Sequence, residues 1–556
     1  MRDSVDAGLL GFKYWIDQPD DDMMCYWSEH HQIMFHSAEY LAGQRFATRR
    51  FDNSGLTGAE HMQRARRRIL RWIDLRARIG FAEWNSNTYY DEDMTPLLNL
   101  ADFAADGEVA RRAAALLDVM FACMALDSFR GTFGTTHGRS YPAHILDGHA
   151  SPMAAAQNIA WGMGVFHDPD SMTASALATS RRWRVPMIVE RMAQAFPDEL
   201  EHRECHGLRL DDRAVHHIDP DDPDGMMLLW GMGLFAERRT VAATIALADR
   251  LRSKRFSVVI RPYAEAVAAT YAELDRRGIP HDGDLDRTSM TRADTYTFRT
   301  PDYQLSCAQD YRKGKPGFQQ HIWQATLGPS AVVFSMHRGA GDDQSGTYWV
   351  GRFPRAVQYR NVLIALYDIP ELPLPGPPTV VPTAAAGNAM PSPAPSQEAL
   401  QPWTIAVLRR AAFDEVRERA GWVFARRGAG YLALFSHQPA RWTRDGALRG
   451  EGLIAPGRRN RWICQLGRAA VDGAFATWCE RIATARLSWD DAVGICYEAP
   501  GVGQLSLGWD APLRLDGSPI AVGGHPRMAG SFASSAYSSA IYRLQYGDET
   551  YDVDLQ

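Results

Sequence analysis

From about Trp27 to Arg277 apolar residues return every three or four positions, the spacing of helices that bury one face. In "TGAEHMQRARRRILRWIDLRARIG" the apolar positions Met62, Ile69, Leu70 and Ile73 follow an N-cap at Thr57, and Gly80 stops the run. "DGEVARRAAALLDVMFACMALDSF" keeps the same period through Val109, Ala113, Leu116, Leu117, Met120, Phe121 and Met124. Further helices fit "TPLLNLADFA", "SPMAAAQNIAWGMG", "PMIVERMAQAF", "PDGMMLLWGMGLFA", "RTVAATIALADRL" and "RPYAEAVAATYAELDRRG". With the opening stretch "CYWSEHHQIMFHSAEYLAG" they make roughly nine. Some carry arginine-rich faces, as from Arg64 to Arg71, whereas "MMLLWGMGLF" is apolar nearly all round and demands burial on most sides. This alternation predicts a two-layer ring of helices, an α/α toroid, complete or incomplete. No fixed-period repeat points to a solenoid.

After about Asp282 the punctuation changes. "TYTFRT", "YQLSCAQDY", "QHIWQATLG", "SAVVFSMH" and "TYWVGRF" are short, β-branched and aromatic, and Gly and Pro separate them. Later come "GWVFARRGAGYLALFS", whose "RRGAG" predicts a hairpin, then "RNRWICQLG" and "IYRLQYGDETYDVDL". Such spacing predicts an antiparallel β-sandwich. The expected fold class is therefore α+β and multidomain. Residues 1–281 form the toroid domain with the cleft, and residues 282–556 the sandwich domain, interrupted by a Pro/Ala-rich insertion at 372–397.

Composition narrows the function. At 556 residues the chain exceeds one compact core. A net charge of -6 leaves no basic footprint, so nucleic acid is not an expected partner. No apolar run reaches membrane-spanning length. The seven cysteines lie singly with no CxxC pair, which argues against a zinc ribbon or a disulfide framework. The start, "MRDSVDAGLLGFKYWIDQPDDD", lacks the order of a secretion signal, so a cytoplasmic location is expected unless the N-terminus is truncated.

Three polar clusters stand at apparent element ends. Ser28 caps a helix whose first turn holds Glu29, His30 and His31; His36, deeper in that helix, reads as structural. "FAEWNSNTYYDED" offers Glu83, Trp84, Asn85, Asn87, Tyr89, Tyr90 and Asp91 after the Gly80 stop, although Asn also serves plain turns. "GTFGTTHGRSYPAHI" adds His137, Arg139, Tyr141 and His144. In a toroid, loops at one end of the inner helices converge, so these three segments are expected around one cleft. "HRECH" and His216–His217 have polar, turn-like flanks and read as exposed surface. "SMHRGAGDDQSGTYWVG" reads as a structural turn, the alternative being a loop that reaches over the cleft to touch substrate. HExxH is absent and "GTFGTTHG" lacks the P-loop Lys, so no metal and no cofactor is expected.

The residue types suit two chemistries. Breaking a uronic-acid glycan by β-elimination needs a donor that neutralises the carboxylate, plus a base and an acid. Asn85, Asn87 and Arg139 are the candidate neutralisers. His137 with Tyr141 or Tyr90 is the candidate acid–base pair. Glu29, His30, His31, Glu83, Trp84 and Tyr89 would hold substrate. Inverting hydrolysis instead needs two carboxyls around a water, which Glu29 and Glu83, or Glu83 and Asp91, could supply. A non-catalytic glycan-binding protein is the third possibility.

The layout resembles the heparinase II/III-like polysaccharide lyases, which join an α/α toroid to antiparallel β-sheets. The resemblance covers most of the chain at the level of architecture. Those lyases use Asn, His, Tyr and Arg around a toroid cleft, and "EWNSNTYY" and "THGRSY" match in residue type. It implies a polysaccharide or oligosaccharide substrate and carries no role over position by position.

Overall fold

A computed structural model describes residues 2–19, 22–166, 171–251, 256–338, 350–370, 400–490 and 494–556. The insertion at 372–397 lies outside the described residues, as do Asp342, Asp343 and Tyr348 of the Gly-rich loop.

The N-terminal region is helical. Its first five helices are α1 (Arg2–Gly11), α2 (Glu29–Arg45), α3 (Gly58–Ile79), α4 (Tyr90–Phe103) and α5 (Gly107–Leu126). Local chemistry sets their ends. The Ser28 hydroxyl accepts from the His31 amide, and Thr57 and Glu60 form a reciprocal capping box at the start of α3. Asp106 accepts from the amides of Glu108 and Val109. Gly80 ends α3 at φ 68°, where a Cβ would stand 2.7 Å from His206 Nδ1. Ile33 and Tyr40 of α2, Ile69 and Trp72 of α3, Leu97 of α4 and Leu117 of α5 share one core. A second helical core gathers Trp27, Ile79, Leu229, Trp230 and Tyr263. No helix among the described residues is long and apolar enough to cross a membrane.

The C-terminal region is antiparallel sheet. Among the described residues the largest sheet has twelve strands and is built around β1 (Leu200–His206), which comes from within the 1–281 stretch expected to be helical, and β2 (Ala293–Arg299), β3 (Gln304–Ala308), β4 (Trp323–Thr326) and β5 (Val332–Met336). Beyond β5 it continues through Trp403–Leu408, and beyond β1 through Met528–Gly530 to the hairpin of Ile541–Tyr546 and Glu549–Asp554. Tyr542 and Leu544 of that hairpin enter the first helical core, so the end of the chain packs back on its beginning. One face of the large sheet meets a six-stranded sheet through Leu305, Trp323, Val333, Leu432 and Trp462. The "RRGAG" hairpin joins Trp422–Arg427 to Gly430–Ser436 in that second sheet.

One segment departs from the sequence reading. "HRECH" is not an exposed turn: it lies in β1, paired antiparallel to β2 from Leu200 opposite Arg299 to His206 opposite Ala293. His202, Glu204 and His206 are at most 2% exposed. In an extended strand every second side chain points the same way. The three ionisable groups therefore share the face turned to the helices. His216 is also buried, while His217 is exposed.

Candidate functional site

The start of α2, the loop after α3 and the loop after α5 do meet. Gly138 makes this approach possible: its amide donates to the Trp84 carbonyl at 2.7 Å, and a Cβ there would stand 2.5 Å from the Trp84 nitrogen. The second loop is fastened to the large sheet by mutual backbone bonds between His137 and His321, at 2.9 and 2.8 Å. The polar side chains brought together fall into two groups with different access to water.

The outer group forms a rim. His30 Nδ1 lies 2.6 Å from Glu83 Oε2, and His30 Nε2 lies 3.2 Å from Glu92 Oε2. The His30 ring stacks on Tyr89 with centroids 4.1 Å apart. The Tyr89 and Tyr141 hydroxyls share a hydrogen bond of 2.8 Å. Arg139 Nε stands 3.6 Å from Glu83 Oε1, and its Nη1 donates to Gln319 Oε1 at 3.2 Å. The guanidinium also lies over the Phe318 ring, 4.8 Å from its centroid. His31 is held by the Ser28 hydroxyl, 2.5 Å from Nδ1. Ser28, His31, Tyr89, Glu92 and Tyr141 are half-buried; His30, Glu83 and Arg139 are buried behind them.

Charge in the rim is shared rather than isolated. Burial works against a charged His30, but Glu83 and then Glu92 outweigh it and raise the ring above its ordinary pKa. Burial likewise opposes ionised Glu83, yet His30, Arg139 and His31 hold its carboxyl below the usual range. Burial pushes Glu92 up, against the pull of His30 and His31. Tyr89 is raised well above ordinary tyrosine by burial, Tyr141 and Glu83.

The inner group is sealed. Asn85, in the left-handed region at φ 46° that Asn tolerates, donates its amide to Asp127 Oδ2 at 2.9 Å and Glu204 Oε2 at 3.3 Å. His202 and His206 present Nε2 to the two Glu204 oxygens at 2.9 and 2.5 Å. Burial and the nearby Glu204 push Asp127 up to about 6. Burial opposes ionised Glu204 too, but the two histidines hold it well below its ordinary value. Asp127 is thus the harder of the two adjacent carboxyls to ionise, and its oxygens accept from the Asn85 side chain and the Thr297 hydroxyl. Burial and Arg527 hold His206 down to about 4, so it donates as a neutral ring.

The expected site residues divide accordingly. His30, His31, Glu83, Tyr89, Arg139 and Tyr141 form the rim. Glu29 does not join it: Arg76 Nε pairs with it at 2.6 Å, and the amides of Ala82 and Glu83 donate to it at 3.0 and 2.8 Å. Glu29 thereby ties α2 to α3 and to the loop that follows. Trp84 is packed in the sheet core and reaches Thr136 Oγ1 at 3.3 Å. Asn87 bonds the His144 carbonyl at 3.2 Å and the Ser140 hydroxyl at 2.6 Å. The Tyr90 hydroxyl accepts from the Asn85 amide at 3.1 Å. His137, 1% exposed, gives Nδ1 to the Asn85 carbonyl, and burial lowers it to about 3. These five side chains lock the loops that carry the rim. His337 is also buried, with Nε2 on the Gln401 carbonyl at 2.9 Å.

Glu92 is the rim residue the sequence reading passed over, although it stands three positions after Tyr89 at the start of a helix, the spacing of one face. The inner carboxylate Glu204 was legible only through the H-x-E-x-H alternation, which has the period of a strand. A separate cavity of about 380 Å³, lined by Asp147, His149, Arg409, Arg427 and Glu451 among others, shares none of the rim side chains. Set against known proteins, the chain matches no family model and no curated protein sequence.

Proposed function

We propose that the protein is a carbohydrate-active enzyme, a polysaccharide lyase that cleaves a uronic-acid-containing glycan by β-elimination at this rim. The reading carries with it an α/α toroid, complete or incomplete, joined to a β-sandwich. The observation that supports it most is the pairing of the Tyr89 and Tyr141 hydroxyls at 2.8 Å beside Arg139, from segments more than fifty residues apart in the chain. Arg139 supplies the positive charge that makes the proton next to a substrate carboxylate acidic. Tyr141, half-buried, carries that proton to the leaving glycosidic oxygen, so the C–H and C–O bonds break while a C=C bond forms and no proton is consumed. Tyr89, hydrogen-bonded to the Tyr141 hydroxyl, steadies its oxygen. Inverting hydrolysis needs water between two accessible carboxyls, whereas Glu29 gives its oxygens to Arg76 and backbone amides.

The test is incubation with uronic-acid polymers. Elimination gives an unsaturated product that absorbs in the ultraviolet; hydrolysis gives reducing ends without that chromophore. Binding with neither product would replace the enzyme by a glycan-binding protein.

A further inference from the structure

Three ligand-type groups at the rim have a geometry that the lyase reading does not use. His30, His31 and Glu92 each offer a ring nitrogen or carboxylate oxygen, all within 4.8 Å of one another. We propose that these three residues bind one divalent transition-metal ion of the zinc type. The proposal goes beyond the lyase reading and departs from the sequence expectation of no metal.

Zinc takes nitrogen and carboxylate donors at about 2.0–2.2 Å, so two ligands of a tetrahedral ion stand roughly 3.3 Å apart. His30 Nε2 and Glu92 Oε2, 3.2 Å apart, already have that separation. The other nitrogen of His30 is committed to Glu83 at 2.6 Å. A carboxylate in that position fixes the tautomer, turns the second nitrogen toward the ion and makes it a better donor. Arg139, 3.6 Å from the far oxygen of Glu83, steadies the carboxylate in turn. Ser28 Oγ stands 3.1 Å from His30 Nε2 and 2.5 Å from His31 Nδ1, which adds an oxygen to the same small space. Two imidazoles with one carboxylate favour zinc, copper or nickel over magnesium and calcium, which prefer all-oxygen shells. The half-exposed His31 and Glu92 give an ion a path from solvent and leave room for water or a substrate oxygen as a further ligand.

A second set, Asp127, His202 and Glu204, also has donors within 4.8 Å of one another but makes the contrast plain. All three are buried, and both Glu204 oxygens are taken by histidines. The inner set has no half-exposed side chain through which an ion could enter, whereas the rim has two.

The experiment uses untagged full-length protein, stripped with a chelator and titrated with Zn²⁺ alone in a calorimeter, with metal content measured after dialysis. One equivalent is expected, with affinity at least about tenfold weaker in His31→Ala and in Glu92→Gln, and about 10–100-fold weaker in Glu83→Gln through loss of the supporting carboxylate. Circular dichroism checks that each variant is folded; Glu92→Gln keeps the side chain's shape. A folded wild-type protein that takes up no zinc overturns the proposal, as does one-equivalent binding unchanged in both His31→Ala and Glu92→Gln. No substrate enters this assay, so its outcome is independent of the incubation with uronic-acid polymers: a failed elimination there beside zinc binding here would end the lyase reading and leave the metal site standing.

Discussion

The rim and the inner cluster use the same vocabulary, histidine beside glutamate with an arginine near, and differ in water. At the rim, ionised partners face one another and half of the side chains reach solvent. Inside, Asp127, His202, Glu204 and His206 are buried, and the strongest influence on each shifted group is the loss of solvent. The same chemistry therefore serves two ends. Where side chains reach water, solvent shares in holding the charge; where they do not, each charge is held by partners that tie β1 to the loops after α3 and α5.

The largest effect is expected from Glu204→Ala. It strands two buried histidines and Asn85, and a loss of about 3–5 kcal/mol is expected from removing one partner of a buried charged network. Urea unfolding measures it; a loss below about 1 kcal/mol would mean that the inner cluster does not hold the sheet. Tyr141→Phe tests the other side. It is expected to slow elimination by about 100-fold or more, with stability shifted by no more than about 1.5 kcal/mol for one hydrogen bond. Retained turnover would remove Tyr141 as the proton carrier.

Gly138→Ala acts between the two clusters. Its Cβ would press on the Trp84 backbone at 2.5 Å, so a loss of about 1–3 kcal/mol is expected in thermal unfolding, together with a drop in turnover as the loops part. A further effect concerns pH. Burial lowers His337 to about 4, so between that value and 6.5 the unfolded chain binds a proton that the folded chain refuses. Stability from this ring rises with pH across that window and is lost as pH falls through it. His337→Gln is expected to flatten the stability–pH curve there by up to about 1.4 kcal/mol per pH unit. An unchanged slope would show that the ring titrates alike in both states.

Much of the local structure was written in short stretches. Thr57 with Glu60, Gly80, Asp106 and the "RRGAG" turn are signals whose partners lie within a few residues, and the structure places each as its chemistry demands. "HRECH" misled because its polarity suits a turn. What buries it is Asp127 and Asn85, contributed by segments far away in the chain.

By itself, then, the sequence determined the helical first region and the sheet-rich second region and marked three polar segments; that these meet was decided by the fold. It did not determine which side chains of those segments face water. Asn85, Asn87 and His137 look as reactive on paper as His31, Tyr141 and Glu92, because ionisable and amide groups have the same composition whether sealed or open. Only packing decides the difference. Removing water from a polar group costs several kcal/mol unless another segment supplies its hydrogen bonds, and that supplier is known only once the chain has folded.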